Sequence, residues 1–210
     1  MFNEELSRHQ DQNPYTDEDY FAYVDGKPRY NGVRDFFASR GITLPEGDPS
    51  DGPAAQTICG LGNRKNDLFN TVLARDGIQP YPGSRRWVDR LHESGMAMAV
   101  VSSSRNAAAV LKAAGMVEDF SVLVDGNRSK TERLPGKPAP DTYLRGAELL
   151  GVPAEQCVVV EDAVSGVRAG AAGGFGMVLG VNRGVGADRL REAGADRVVD
   201  DLDEMVEEMA

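Results

Sequence analysis

Apolar residues in the first third of the chain recur at helical spacing. Val33, Phe36 and Phe37 form one such set and Leu68, Val72 and Leu73 another, and each predicts a helix with one buried stripe. Turn formers interrupt these stretches at Asp25-Gly26-Lys27-Pro28 and again from Pro45 to Pro53. Nothing before Gln79 reads as a strand, so residues 1–79 predict a small helical domain. Tyr81-Pro82-Gly83-Ser84 punctuates a change of texture. Beyond it, apolar runs of strand length alternate with helical patterns. The predicted strands are Met96 to Val101, Val122 to Val124, Cys157 to Val160, Met177 to Val181 and Arg197 to Val199. Helices are predicted around Trp87 and Leu91, from Ala107 to Ala114, from Tyr143 to Leu150, from Val164 to Ala172 and near Ala187 to Ala193, with an acidic one at the end. Strands apolar throughout and separated by helices imply a parallel sheet covered on both faces, so residues 80–210 predict an α/β domain.

Composition narrows the function classes. The chain has 210 residues, 23 basic against 33 acidic, for a formal net charge of −10. An acidic balance of this size argues against a nucleic-acid partner, which needs a basic face. No apolar run reaches membrane-spanning length and no secretory leader pattern stands at the start, so neither a membrane nor an export route is expected. Two cysteines, Cys59 and Cys157, cannot build a disulfide framework and suit a reducing cytoplasm.

In an open parallel sheet, ligands sit beyond the carboxyl ends of the strands. The strand ending at Val101 delivers Ser102-Ser103-Ser104-Arg105-Asn106, and the strand ending at Val160 delivers Glu161-Asp162. Between them lies Gly136-Lys137-Pro138-Ala139-Pro140-Asp141. Hydroxyls and N–H groups opening a helix suit an anion, although a serine run in that place also reads as a plain cap. Lys137, fixed between glycine and proline, is either a phosphate-neutralising cation or a solvated one. Adjacent carboxylates at a strand tip suit Mg²⁺, or else Asp162 caps the next helix. Taken in order, the three segments describe magnesium-assisted phosphoryl transfer on one crevice. A dinucleotide-binding protein fits less well, because no Gly-x-Gly-x-x-Gly follows the first predicted strand.

These segments resemble the haloacid dehalogenase-like superfamily, and within it the β-phosphoglucomutase subfamily. Val100 to Asn106 is similar to the motif whose hydroxyl binds the transferring phosphoryl group, Gly136 to Asp141 to that of the phosphate-binding lysine, and Val160 to Ala163 with Ser165-Gly166 to that of the magnesium ligands. The resemblance implies a Rossmann-like α/β core under a helical cap, with Ser102 and Lys137 catalytic and Glu161 and Asp162 on Mg²⁺. Asp25 to Arg29 resembles the cap's specificity loop, which implies that Arg29 grips the distal phosphate of a sugar bisphosphate. Arg64-Lys65-Asn66-Asp67 resembles a second cap segment, which implies that Lys65 and Asn66 contact the sugar; Ser103, Ser104, Arg105 and Asn106 join the substrate-binding set. Without the resemblance, Arg29 and Lys65 read as surface charges.

One departure is large. The family opens on an apolar strand ending in Asp-x-Asp-Gly, whose first aspartate becomes aspartyl-phosphate and whose second moves protons. This chain has no such motif: Asp17-Glu18-Asp19 follows no strand, and Asp200-Asp201-Leu202-Asp203 reads as capping and solvated charge. The absent strand is the middle one of the family's sheet, so its neighbours are expected to lose ladder partners. The chain is therefore expected to begin at an internal methionine of a longer protein, and to be inactive or weakly active as it stands. In full-length form the expected reaction is glucose 1-phosphate to glucose 6-phosphate by a monomer. Hydrolysis of a sugar phosphate is the alternative.

Overall fold

A computed structural model of the protein describes residues 1–208, which fall into two compact units that divide between Gly77 and Ile78. The first unit is helical: α1 (Phe2–Leu6), α2 (Asp17–Asp19) running into a π turn, α3 (Arg29–Ser39) and α4 (Ile58–Asp76). Its core is the aromatic set Phe2, Phe36 and Phe37 packed with Leu6, Val33, Ile42, Ile58 and Leu61. Phe36 and Phe37 are wholly buried, each a contribution of roughly 1.5–3 kcal/mol. The stripe predicted from Leu68, Val72 and Leu73 is not a buried one. α4 buries its first turns, whereas Leu68, Phe69 and Val72 are exposed. The cause is length. α3 starts at Arg29, which meets α4 at Asn63 and Asn66, and beyond that point the longer helix outruns it.

The second unit contains α5 (Pro82–Glu93), β1 (Ala99–Val101), α6 (Ala107–Ala113), β2 (Val122–Val124), α7 (Gly126–Glu132), α8 (Asp141–Leu150), β3 (Val158–Glu161), α9 (Val164–Ala172), β4 (Met177–Val181), α10 (Ala187–Glu192), β5 (Arg197–Val199) and α11 (Asp203–Glu208). β1 is shorter than the predicted run from Met96. The Met96 N–H is used to close α5, donating to the Leu91 carbonyl at 3.0 Å. Periodicity does not reveal α7, because Gly-Asn-Arg-Ser-Lys-Thr-Glu has no apolar repeat. Buried Asp125 nucleates it by accepting the N–H groups of Asn127 (3.0 Å) and Arg128 (2.8 Å).

All strand pairs are parallel, but they form two sheets, β1–β2 and β3–β4–β5. β1 and β3 therefore each have a ladder partner on one side only among the described residues. α8 packs on β1 and β2, α9 packs on β3 and β4, and the two helices touch. Val178 to Val181 of doubly paired β4 are buried, whereas Val158 of β3 is 52% exposed. Trp87 of α5 packs against apolar clusters of both halves, one around Leu91, Met98 and Met116 and one around Leu179, Val181 and Val199.

Candidate active site

Lys137 joins the carboxyl ends of β1 and β3. Its ammonium donates to Glu161 Oε2 at 2.8 Å and reaches the Val101 carbonyl at 3.4 Å, and it lies over the Tyr143 ring at 4.5 Å from the centroid. Both side chains of the ion pair are buried, 5% and 10% exposed. Glu161 also accepts the Tyr143 hydroxyl on Oε2 and the Ala163 N–H on Oε1, the latter at 3.1 Å. Burial pushes the Glu161 carboxyl up, but the Lys137 charge and these hydrogen bonds outweigh it and hold the group below its ordinary value. Burial first, and the Glu161 charge second, push the Tyr143 hydroxyl well above its ordinary value. Gly166 makes room for this carboxylate: a Cβ there would stand 2.2 Å from Glu161 Cδ.

Ser102 follows Val101 directly, so it stands at the same strand end as the lysine contact. The segment Ser102–Asn106 does not cap α6 with its hydroxyls. Instead it forms two successive turns, Ser102 Oγ accepting the Ser104 N–H and Ser104 Oγ accepting the Asn106 N–H, each at 3.1 Å. α6 has no side-chain cap. The backbone of the segment is pinned to the start of α7, the Gly126 N–H donating to the Ser104 carbonyl and Asn127 Nδ2 to the Arg105 carbonyl, each at 3.0 Å. Ser103 lies in the same loop, half-buried.

Asp162 is exposed at the tip of β3. It does not cap α9, whose N-cap is Ala163 without a side-chain bond. A cavity of about 220 Å³ at this end of β3 and β4 is lined by Glu161, Asp162, Tyr81, Ser84 and Arg183, among others. The Arg183 guanidinium stacks on Tyr81 at 3.9 Å from the centroid and donates to Asp201 (2.7 Å) and Ser84 (3.2 Å). Sequence reading missed Arg183, yet the signal was present. β4 ends at Val181 and delivers Asn182-Arg183 by the same rule that singled out the other strand ends.

The donor set does not complete a magnesium site. Glu161 Oε2 is taken up by Lys137 and Tyr143, whereas Oε1 accepts a single backbone N–H and keeps acceptor capacity. Among the described residues no group of three or more His, Cys, Asp or Glu converges to hold a metal.

In the helical unit, Arg29 opens α3 and donates to Asn63 Oδ1 at 3.1 Å and to Asn66 Oδ1 at 2.5 Å. Gly62 permits this close approach, since a Cβ there would stand 2.7 Å from the Tyr30 ring. Lys65 is exposed at its surface, and partial desolvation, followed by repulsion from Arg29, lowers its pKa. Arg64 does not join this cluster; it pairs with Glu4 at 2.5 Å.

The model of the haloacid dehalogenase-like hydrolases matches residues 2–174. The chain is 49% identical over 191 residues to a β-phosphoglucomutase of Mycobacterium bovis, covering 90% of this chain and 73% of that one. It is 33% identical over 190 residues to hexitol phosphatase A of Escherichia coli, covering 90% and 77% respectively. The crystal structure of a β-phosphoglucomutase from Clostridium difficile superposes with a TM-score of 0.77 at 18% identity, covering 99% of this chain and 86% of that one. The shared architecture, the matched family model and the 49% identical relative agree, and the chain belongs to the haloacid dehalogenase-like hydrolase family.

Proposed function

We propose that this protein belongs to the machinery of phosphoryl transfer on a small phosphosugar, of the β-phosphoglucomutase kind. The observation that carries the reading is the buried Lys137 ammonium linking the ends of β1 and β3, in a chain 49% identical to a β-phosphoglucomutase. In this reading Lys137 neutralises the oxygens of the reacting phosphate and the Ser102 hydroxyl donates to one of them. Ser103 to Asn106 supply further polar groups at that strand end. Arg29 holds the phosphate that does not react, while Lys65 and Asn66 contact the sugar. The nucleophile is the aspartate of an Asp-x-Asp-Gly strand, which this chain does not carry. Its carboxylate oxygen bonds to phosphorus, the bond from phosphorus to the sugar oxygen breaks, and the second aspartate protonates the departing oxygen. Mg²⁺ belongs to the same reading, with Asp162 offering one oxygen. Glu161 would join it through Oε1, with Oε2 kept by Lys137 and Tyr143. When bound, the ion would supply charge neutralisation at the phosphate.

Joining a strand with Asp-x-Asp-Gly to the N-terminus and assaying β-glucose 1-phosphate with a trace of bisphosphate tests this reading. Glucose 6-phosphate is the expected product, with little turnover by residues 1–210 alone. Release of inorganic phosphate instead would support the hydrolytic reading, which the similarity to hexitol phosphatase A favours. No turnover by the extended chain would leave a protein that binds phosphosugars without transforming them.

A further inference from the structure

We propose that Asn63 is the positioning residue for Arg29, fixing its guanidinium to the segment around Pro49 and Asp51. The role rests on Arg29 as the grip on the non-reacting phosphate and adds a residue to that assignment. Asn63 Oδ1 accepts from Arg29 at 3.1 Å and from the Tyr30 hydroxyl at 3.0 Å. Its Nδ2 donates to the Pro49 carbonyl at 3.1 Å and the Asp51 carbonyl at 2.9 Å. An amide side chain has two donor hydrogens and two acceptor lone pairs, and here all are used. That saturation also fixes which way the amide faces, since a flipped Asn63 would present N–H groups to two donors and oxygen to two carbonyls.

The anchor is itself held. Asp51 Oδ2 accepts the Thr57 hydroxyl at 2.6 Å and the Asp48 N–H at 3.1 Å, and the Thr57 hydroxyl in turn accepts the Gly60 N–H at 2.9 Å, capping α4. The turn-forming stretch from Pro45 to Pro53 is thus tied to the start of α4, and Asn63 carries that rigidity to Arg29. The two acceptors on Arg29 are neutral amide oxygens. They orient the guanidinium without cancelling its charge, and they leave further N–H groups of the fork for an anion. A carboxylate at position 63 would orient Arg29 equally well but would compete with a phosphate. Asn63 therefore gives pre-organisation while keeping the charge available.

The first measurement needs no ligand. In ¹⁵N NMR of the unaltered chain, the Arg29 Nη groups should give separate, slowly exchanging signals. They should average in Asn63→Ala and remain partly resolved in Asn63→Gln, which keeps the amide on a longer stem and guards against a variant that fails to fold. Signals already averaged in the unaltered protein, or unchanged in both variants, overturn the proposal. The second measurement is calorimetric binding of glucose 1,6-bisphosphate in a double-mutant cycle with Arg29→Met. Asn63→Ala should weaken binding about tenfold when Arg29 is present, as for loss of a hydrogen bond to a charged group, and change little in the Met background. An equal loss in both backgrounds marks a general structural role and overturns the proposal. If Arg29 is released in the spectra but Arg29→Met leaves affinity unchanged, the phosphate assignment of Arg29 falls and its positioning by Asn63 stands.

Discussion

Replacing Lys137 with methionine removes the ammonium and leaves the Glu161 carboxylate buried without its counter-charge. Breaking a buried pair from one side typically costs about 3–5 kcal/mol, so Lys137→Met should lower the denaturant midpoint sharply, and adding Glu161→Gln should restore much of the loss. Chemical denaturation of the single and double variants measures both. The acid response has a definite sign. Glu161 is held below its ordinary value of 4.5 in the folded protein, so its contribution is complete above that pH and is lost as pH falls toward and through the folded value. Glu161→Gln should flatten the stability curve below pH 4.5 and leave its slope near neutrality unchanged. Single side chains at strand ends were readable from the sequence because apolar runs stop at Val101 and Val160 and polar groups follow. Their pairing was not. Nothing local says that Glu161 faces Lys137 and Tyr143 while its neighbour Asp162 faces solvent, since that depends on how α8 and α9 lie on the sheets.

Gly166 shows how a helix is shaped to its neighbours. In Gly166→Ala the new methyl would overlap Glu161; overpacking of this kind costs about 1–3 kcal/mol. The melting temperature should fall, and by less when Glu161 is first shortened to aspartate. β1 makes a finer prediction. The Ser102 N–H donates to Val124 at 2.9 Å, so by alternation along the strand Val100 also faces β2, whereas Ala99 and Val101 face the unpaired side. Amide exchange should accordingly be faster at Ala99 and Val101 than at Val100 and Ser102, and equal protection at all four would contradict the split ladder. Most elements of the second unit were legible because their apolar residues are also their buried ones; β4 and α9 match their predicted limits. α7 was illegible because a side-chain cap rather than an apolar face defines it. The later turns of α4 misled for the opposite reason, since their spacing is helical but Leu68, Phe69 and Val72 are exposed.

Across the whole chain, the compact units divide between Gly77 and Ile78, and the periodicities of the sequence differ on the two sides of that point. No helix among the described residues is long and apolar enough to cross a membrane. The interrupted sheet is the feature with the widest reach. An appended apolar strand that paired with both β1 and β3 should raise the thermal midpoint by several degrees even when its aspartates are changed to asparagine, which separates architecture from chemistry. Unfolding is cooperative only so far as its parts share contacts. Between the two halves of the second unit these include the Lys137 bridge, the α8–α9 contact, the packing of α5 on α11 with its Arg86–Asp203 ion pair, and the indole of Trp87, the one tryptophan in the chain. Trp87 is thus a built-in optical reporter at the seam: its fluorescence should change at lower denaturant than the far-ultraviolet circular dichroism, and coincident curves would mean that the halves melt as one.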